Sequence, residues 1–120
     1  MSNANEAVVR LLKTWSERDA KRRRDLVAQT FTEDGTYIDR VREGRGHDGH
    51  RRDDRPGYSV YLASGIDAHH DCVRFSWVAG GTAEAPLYYK GTDFAVIADD
   101  GRLKSVTGFT DAAPVPVTQP

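Results

Sequence analysis

The chain has 120 residues, of which 29% are charged and 38% hydrophobic, and its formal net charge is −1. This length and composition are typical of one globular domain with a modest core. The near-neutral charge gives no support to binding of nucleic acid or of an anionic membrane. Cys72 is the only cysteine, so no intramolecular disulfide can form.

The sequence gives no sign of a signal peptide or of a membrane-spanning segment. The first residues lack the basic and then apolar pattern of a signal peptide. No apolar run approaches the ~20 residues that a membrane-spanning helix needs. We therefore expect a cytoplasmic protein.

The N-terminal part of the sequence predicts two helices. Apolar residues in the first recur at helical spacing, at Ala7, Val8, Leu11, Leu12 and Trp15. Asp19 is a suitable N-cap for the second helix, because its carboxylate can accept from free backbone N–H groups. This helix is expected to end near Glu33. Its basic run, residues 21–24, points all round the helix axis, which favours a solvated surface over a nucleic-acid site.

The rest of the chain predicts an antiparallel meander. Strands are expected over residues 36–41, 58–66, 72–78 and 88–97 and after the tight turn Asp99-Asp100-Gly101. Residues 42–57 are charged and broken by glycines, so they predict a loop, and whether it orders into a lid is left open. Residues 112–120 form a proline-spaced tail that is expected to be extended or disordered. Helices followed by strands predict an α+β fold with the helices on one face of a curled sheet.

Asp93 is the residue that most requires an explanation. Alternate residues of its strand are apolar on both faces, which predicts a strand covered on two sides and a buried carboxyl group. Asp93 could face a ligand pocket, or it could be a structural carboxyl bonded to a tyrosine or histidine. Asp39 has two similar interpretations, since it could face the same pocket or could cap the charged loop and pair with a nearby arginine.

The histidines give a weaker signal. Adjacent histidines in a hairpin, such as His69 and His70, point to opposite sides, and His47 and His50 lie in the charged loop. Neither pair has a convincing ligand geometry, so we expect polar turn residues and no metal or cofactor. One histidine of the hairpin pair shares the side of Trp77, and His70 is the candidate for the rim of a pocket.

Three segments resemble the NTF2-like superfamily, in particular its SnoaL-like and ketosteroid-isomerase-like enzymes. They are residues 12–19, residues 31–39, and residues 91–94 together with 100–103 and 109–111. The resemblance covers about Asn5 to Asp111 and implies a single domain over residues 1–111. It also implies a cone of curved antiparallel sheet that is closed by helices around a pocket, and commonly a homodimer through the sheet. The sequence departs from the family where a third helix would follow the first strand.

The resemblance implies a chemistry as well as a fold. It places Asp39 at the family's proton-shuttling aspartate and Asp93 at its protonated aspartate, which donates a hydrogen bond to the developing oxyanion. The family's tyrosine on the first helix falls at Leu11, so another tyrosine would have to replace it. The candidates for lining the pocket are Trp15, Tyr37, Tyr58, Phe75, Trp77, Tyr89 and His70.

Two hypotheses about function follow. The first is a cofactor-independent isomerase, cyclase, dehydratase or hydrolase that acts by carboxylate acid–base chemistry on a small, largely apolar carbonyl compound. The second is a non-catalytic module that binds a ligand or a partner protein, because a fold of this kind does not decide function.

Overall fold

The structure is a computed structural model that describes residues 3–39, 43–46, 60–80, 87–111 and 115–116. Two helices, α1 (Asn3–Ser16) and α2 (Ala20–Thr30), precede the strands. The strands are β1 (Phe31–Ile38), β2 (Glu43–Arg45), β3 (Val60–Leu62), β4 (Asp67–His69), β5 (Cys72–Gly80), β6 (Leu87–Ile97), β7 (Leu103–Thr110) and β8 (Val115–Pro116).

Both predicted helices are confirmed. The buried stripe of α1 comprises Ala4, Ala7, Val8, Leu11, Leu12 and Thr14. Asp19 caps α2 as predicted, because its carboxylate accepts the backbone N–H of Arg22 at 2.9 Å. The end of α1 is tied to the sheet edge by Ser16, whose Oγ accepts the backbone N–H of Val60 at 2.9 Å. The helices therefore lie against one face of the sheet and close one side of the core.

The strands form one sheet in the order β2-β1-β7-β6-β5-β3, with β4 also paired to β5 and β8 to β6. The central strands β5, β6 and β7 form the predicted antiparallel meander. Strand β1 pairs in parallel with β7, which makes the sheet mixed. No hairpin joins β1 to β7, so nothing forces them to run in opposite directions. The fold is α+β, as predicted, and the parallel pair is what brings the end of β1 beside the middle of β7.

Strand boundaries differ from the prediction in the first half of the sheet. The helix α2 ends at Thr30 rather than near Glu33, and β1 begins at once with Phe31, which is fully buried in the core. Within the segment predicted to be a loop, residues 43–45 instead form β2, which pairs antiparallel with the end of β1. The composition of residues 43–45 did not predict a strand, because the strand depends on pairing with β1.

The strand predicted over residues 58–66 is shorter and interrupted. Residues 60–62 pair with β5, the pairing then breaks, and it resumes at 67–69 with the register displaced. In the break, the Oγ of Ser64 accepts the backbone N–H of Ser76 at 2.8 Å and so replaces a backbone carbonyl of the ladder. In the predicted tail, residues 115–116 pair with the start of β6.

The two faces of β6 have different surroundings. Gly91, Asp93 and Ala95 are buried on the inner face. On the outer face Phe94 is 43% exposed, and Phe109 on the neighbouring β7 is 62% exposed. The prediction that β6 is covered on both sides is therefore wrong for the single chain, because the apolar residues of the second face form the outer surface of the sheet.

Candidate active site

Asp93 lies at the middle of the sheet and has no exposed surface. In the register of the sheet it stands opposite Phe75 of β5 on one side and Gly108 of β7 on the other. Because β1 runs parallel to β7, Tyr37 lies beside Val106 of β7. Asp39 directly follows the last residue of β1 and is half-buried. Three strands thus bring two carboxyl groups and a phenol to one part of the inner face.

The two oxygens of Asp93 have different environments. Oδ1 accepts a hydrogen bond from Nε1 of Trp77 at 2.8 Å. Oδ2 is buried and has no hydrogen-bond partner in the described part of the chain. The indole N–H can only donate, so the oxygen that it meets must accept. When Asp93 is neutral, Oδ1 is therefore the carbonyl oxygen, and the acid proton is on Oδ2. Asp93 therefore has one oxygen bonded to Trp77 and one buried oxygen without a partner among the described residues.

Burial raises the pKa of Asp93 from its ordinary value of 3.8 to about 7. The hydrogen bond from Trp77 favours the ionised form and lowers the pKa, whereas the charge of Asp39 raises it. Near neutral pH, Asp93 is consequently divided between its acid and its carboxylate. A group of this kind can donate a proton or a hydrogen bond where an ordinary aspartate cannot.

Asp39 is oriented by its neighbour on β1. The hydroxyl of Tyr37 donates to Oδ2 of Asp39 at 2.7 Å. The ring of Tyr37 in turn meets the ring of Trp15 edge to face, with centroids 5.4 Å apart. Such a contact is typical of aromatic pairs and fixes the direction of the phenol. Helix α1 therefore helps to hold the second carboxyl group in place through Trp15 and Tyr37.

Gly108 marks the point at which these groups converge. A Cβ added to this glycine would lie 2.9 Å from Oδ1 of Asp93, 3.2 Å from the hydroxyl of Tyr37 and 3.4 Å from Cβ of Asp39. The three side chains thus surround one small volume that any residue larger than glycine would enter. Gly108 was not predicted as a site residue, although a glycine in the interior of a strand is a signal for close approach of other groups.

The predicted site residues fall into separate groups. The structure brings together Trp15, Tyr37, Asp39, Trp77 and Asp93. Phe75 is a core residue directly opposite Asp93, and Tyr89 is half-buried on β6 opposite Ala79. Tyr58 lies outside the described residues.

His70 and Leu11 lie away from the carboxyl groups in different ways. His70 is exposed in the turn between β4 and β5, where its Nδ1 lies 3.0 Å from Nδ1 of His69. Leu11, at the position of the family's tyrosine, is fully buried on α1. Leu11 cannot donate a hydrogen bond, and Tyr37 is the phenol that the structure places beside the acid pair.

The described residues also form a half-open cavity of about 430 Å³ at the break between β3 and β4. Its lining residues are Ser64, Gly65, Ile66, Asp67, Arg74, Phe75, Ser76 and Thr92. Neither Asp93 nor Asp39 lines it, so it is separate from the acid pair. Among the described residues, no three His, Cys, Asp or Glu side chains are grouped so that they could hold a metal ion. No described helix is long and apolar enough to cross a membrane.

Solved structures with the same architecture identify the fold as the NTF2-like cone. The chain is similar to an NTF2-like protein of unknown function from Exiguobacterium, with 20% identity, a TM-score of 0.64 and coverage of 89% of this chain and 99% of the other. It is also similar to an NTF2-like protein of unknown function from Mesorhizobium loti, with 13% identity, a TM-score of 0.67 and 92% of each chain covered.

A further structure gives the family. This protein, from Agrobacterium tumefaciens, is described as a proposed isomerase of the SnoaL-like family. It is 32% identical, its TM-score is 0.82, and the match covers 93% of this chain and all of the other. No protein-family model and no curated protein matches the sequence. The chain belongs to the SnoaL-like family of NTF2-like proteins.

Proposed function

We propose that this protein is a cofactor-independent acid–base enzyme of isomerase type, acting on a small, largely apolar carbonyl compound. The observation that carries the proposal is the buried Oδ2 of Asp93, which has no partner among the described residues, in a carboxyl group on which the charge of Asp39 acts. A buried polar atom without a partner is costly and is an expected feature of a site that completes itself with a ligand.

The two carboxyl groups would have different tasks. Asp39, as a carboxylate, takes a proton from the carbon next to the ligand's carbonyl group. The carbonyl oxygen gains negative charge and accepts a hydrogen bond from the protonated Oδ2 of Asp93. Asp39 then returns the proton to a different carbon, so that the carbonyl compound is isomerised with no net gain or loss of atoms. The hydrogen bond from Tyr37 holds Asp39 in position for both transfers.

Family membership supports this proposal in a limited way. The relative from Agrobacterium tumefaciens is described only as a proposed isomerase. Neither the substrate nor the reaction passes from that description to this chain. Asp93, Asp39 and Tyr37 themselves therefore carry the case for acid–base chemistry.

The proposal can be tested before the substrate is identified. In deuterium oxide, proton abstraction exchanges the hydrogen next to a carbonyl for deuterium, and mass spectrometry detects the exchange across a panel of small cyclic ketones. We expect exchange by the wild type, a loss of about 10²–10⁴-fold in Asp39→Asn, and a loss of about tenfold or more in Asp93→Asn. The matched control is Asp99→Asn, which changes an exposed carboxylate of the β6–β7 turn.

Unchanged exchange in Asp93→Asn would remove the acid–base proposal. The second candidate function is a module that binds a ligand or partner without reaction, and it is favoured by the bond from Trp77, which already gives Asp93 a structural partner. Retention of a ketone by the wild type with no exchange on any panel member would support that candidate instead.

The proposed partners are a carbonyl ligand and a second copy of the chain. The homodimer predicted through the sheet stays a prediction. Its contact surface would be the outer face that exposes Phe94 and Phe109, because exposed aromatic groups of this size are typical of association surfaces. The proposed site lies on the inner face, so dimer formation and ligand binding would not compete. The proposed location of the protein is the cytoplasm.

A further inference from the structure

Trp77 reaches Asp93 because of a glycine between them. Trp77 of β5 stands directly opposite Gly91 of β6, and Asp93 lies two residues further along the same face. A Cβ on Gly91 would lie only 2.7 Å from Cζ2 of Trp77 and would overlap the carbonyl oxygen of Phe109. Only glycine leaves room for the indole to lie across β6. The ring can then direct its N–H diagonally to Oδ1 of Asp93, at 2.8 Å.

We propose that Trp77 is a positioning residue that fixes the acid proton of Asp93 on Oδ2, the oxygen without a partner among the described residues. This inference rests on the proposed function, in which Asp93 donates a hydrogen bond to a carbonyl oxygen. The indole N–H is a donor only, so it selects the acceptor oxygen of the neutral acid and leaves the hydroxyl on the other side. Without it, either oxygen could carry the proton and the carboxyl group could rotate.

The other groups around Asp93 do not compete for this role. Asp39, after β1, is the residue whose charge acts on Asp93. Tyr37 is the other titratable group at the site, and its hydroxyl donates to Asp39. The residues that face Asp93 from β5 and β7 in the sheet register, Phe75 and Gly108, carry no charge. The bond from Trp77 is the one hydrogen bond to the carboxyl group of Asp93 among the described residues.

The first test leaves Trp77 in place and follows its indole N–H. The sequence has two tryptophans, so a ¹H–¹⁵N spectrum contains two indole signals, and Trp15→Phe assigns the remaining one to Trp77. We expect the Trp77 signal to move with pH, with a midpoint about 7, the pKa that burial gives Asp93. The movement should vanish in Asp93→Asn. A Trp77 signal that stays fixed through the titration of Asp93 would overturn the inference.

The second test removes the donor. In Trp77→Phe an aromatic ring remains but the indole N–H is lost, so the carboxylate of Asp93 loses a hydrogen bond. We expect the midpoint of Asp93, followed by ¹³C NMR of its carboxyl carbon, to rise by about one pH unit, a tenfold change in proton affinity. Val78→Ala is the matched control, because Val78 is the next residue of β5 and points to the outer face. An unchanged midpoint in Trp77→Phe would contradict the inference, and if that variant does not fold, the indole titration of the wild type decides.

Activity separates this inference from the proposed function. If both hold, Trp77→Phe lowers kcat for deuterium exchange by about tenfold with little change in KM, and its pH profile moves upward with the carboxyl titration. A wild type that exchanges no ketone but shows both expected titrations would refute the proposed function and leave the placement of the proton intact. Exchange by Trp77→Phe with an unshifted pH profile would refute the role of Trp77 and leave the function.

Discussion

Replacing Asp93 by asparagine should change how stability depends on pH. Burial raises the pKa of Asp93 from 3.8 to about 7 in the folded protein. The folded chain therefore keeps a proton between these values that the unfolded chain has already released. Its contribution to stability is complete below about pH 4 and is lost as pH rises to about 7 and above. A difference of about three pH units corresponds to about 4 kcal/mol of unfolding free energy.

The assay is urea unfolding of the wild type and Asp93→Asn, measured from pH 4 to pH 8. Asparagine stays neutral, and its carbonyl oxygen can still accept the N–H of Trp77, so the variant keeps the contact without the titration. Relative to wild type, Asp93→Asn should gain about 4 kcal/mol between the two ends of the range. The control Asp99→Asn removes an exposed carboxylate instead, and the same gain in that variant would contradict the reasoning. A constant difference for Asp93→Asn would show that Asp93 ionises normally, and the reasoning about its burial would be wrong.

Three further predictions concern packing at Gly108, ligand binding and self-association. Gly108→Ala places a Cβ 2.9 Å from Oδ1 of Asp93, so it should lower exchange activity and destabilise the fold by about 1–3 kcal/mol in urea. Gly65→Ala is the control, because its Cβ would meet nothing within 4 Å, and equal effects would contradict the packing argument. A neutral ketone that needs protonated Asp93 should bind about tenfold more weakly for each pH unit above 7 by calorimetry, and pH-independent affinity would contradict this. Phe109→Ser should weaken self-association in sedimentation velocity, and unchanged sedimentation would place any dimer interface elsewhere.

The sequence predicted the parts of the fold whose signals are local. The stripe that includes Leu11, the cap at Asp19 and the turn at Gly101, which has φ of 89°, all appear where they were expected. Each depends on neighbouring residues alone. Strand β2 and the parallel pairing of β1 with β7 were not predicted, because residues far apart in the chain provide those partners. The break between β3 and β4 was missed for the same reason, since Ser64 finds its partner twelve positions away in β5.

The candidate site shows the same division. Asp93 was singled out correctly as buried, because alternation along a strand is visible in the sequence. The hydrogen bond from Trp77 was not predicted, since it depends on register between two strands and on the missing side chain of Gly91. The role of Asp93 as a pocket residue stays a prediction. The assignment of Asp39 came from resemblance, and the structure adds the bond from Tyr37 that orients it.

A purely structural role does not account well for a carboxyl group at position 93. The indole of Trp77 needs one acceptor, which an asparagine would supply without the penalty of burying an acid. A structural acid would also be expected to have both oxygens paired, yet Oδ2 has no partner in the described chain. The same carboxyl group packs with Tyr37 and Asp39 against Gly108, where no larger residue would fit. An unpaired buried acid beside a second carboxyl group is what the proposed acid–base site would require.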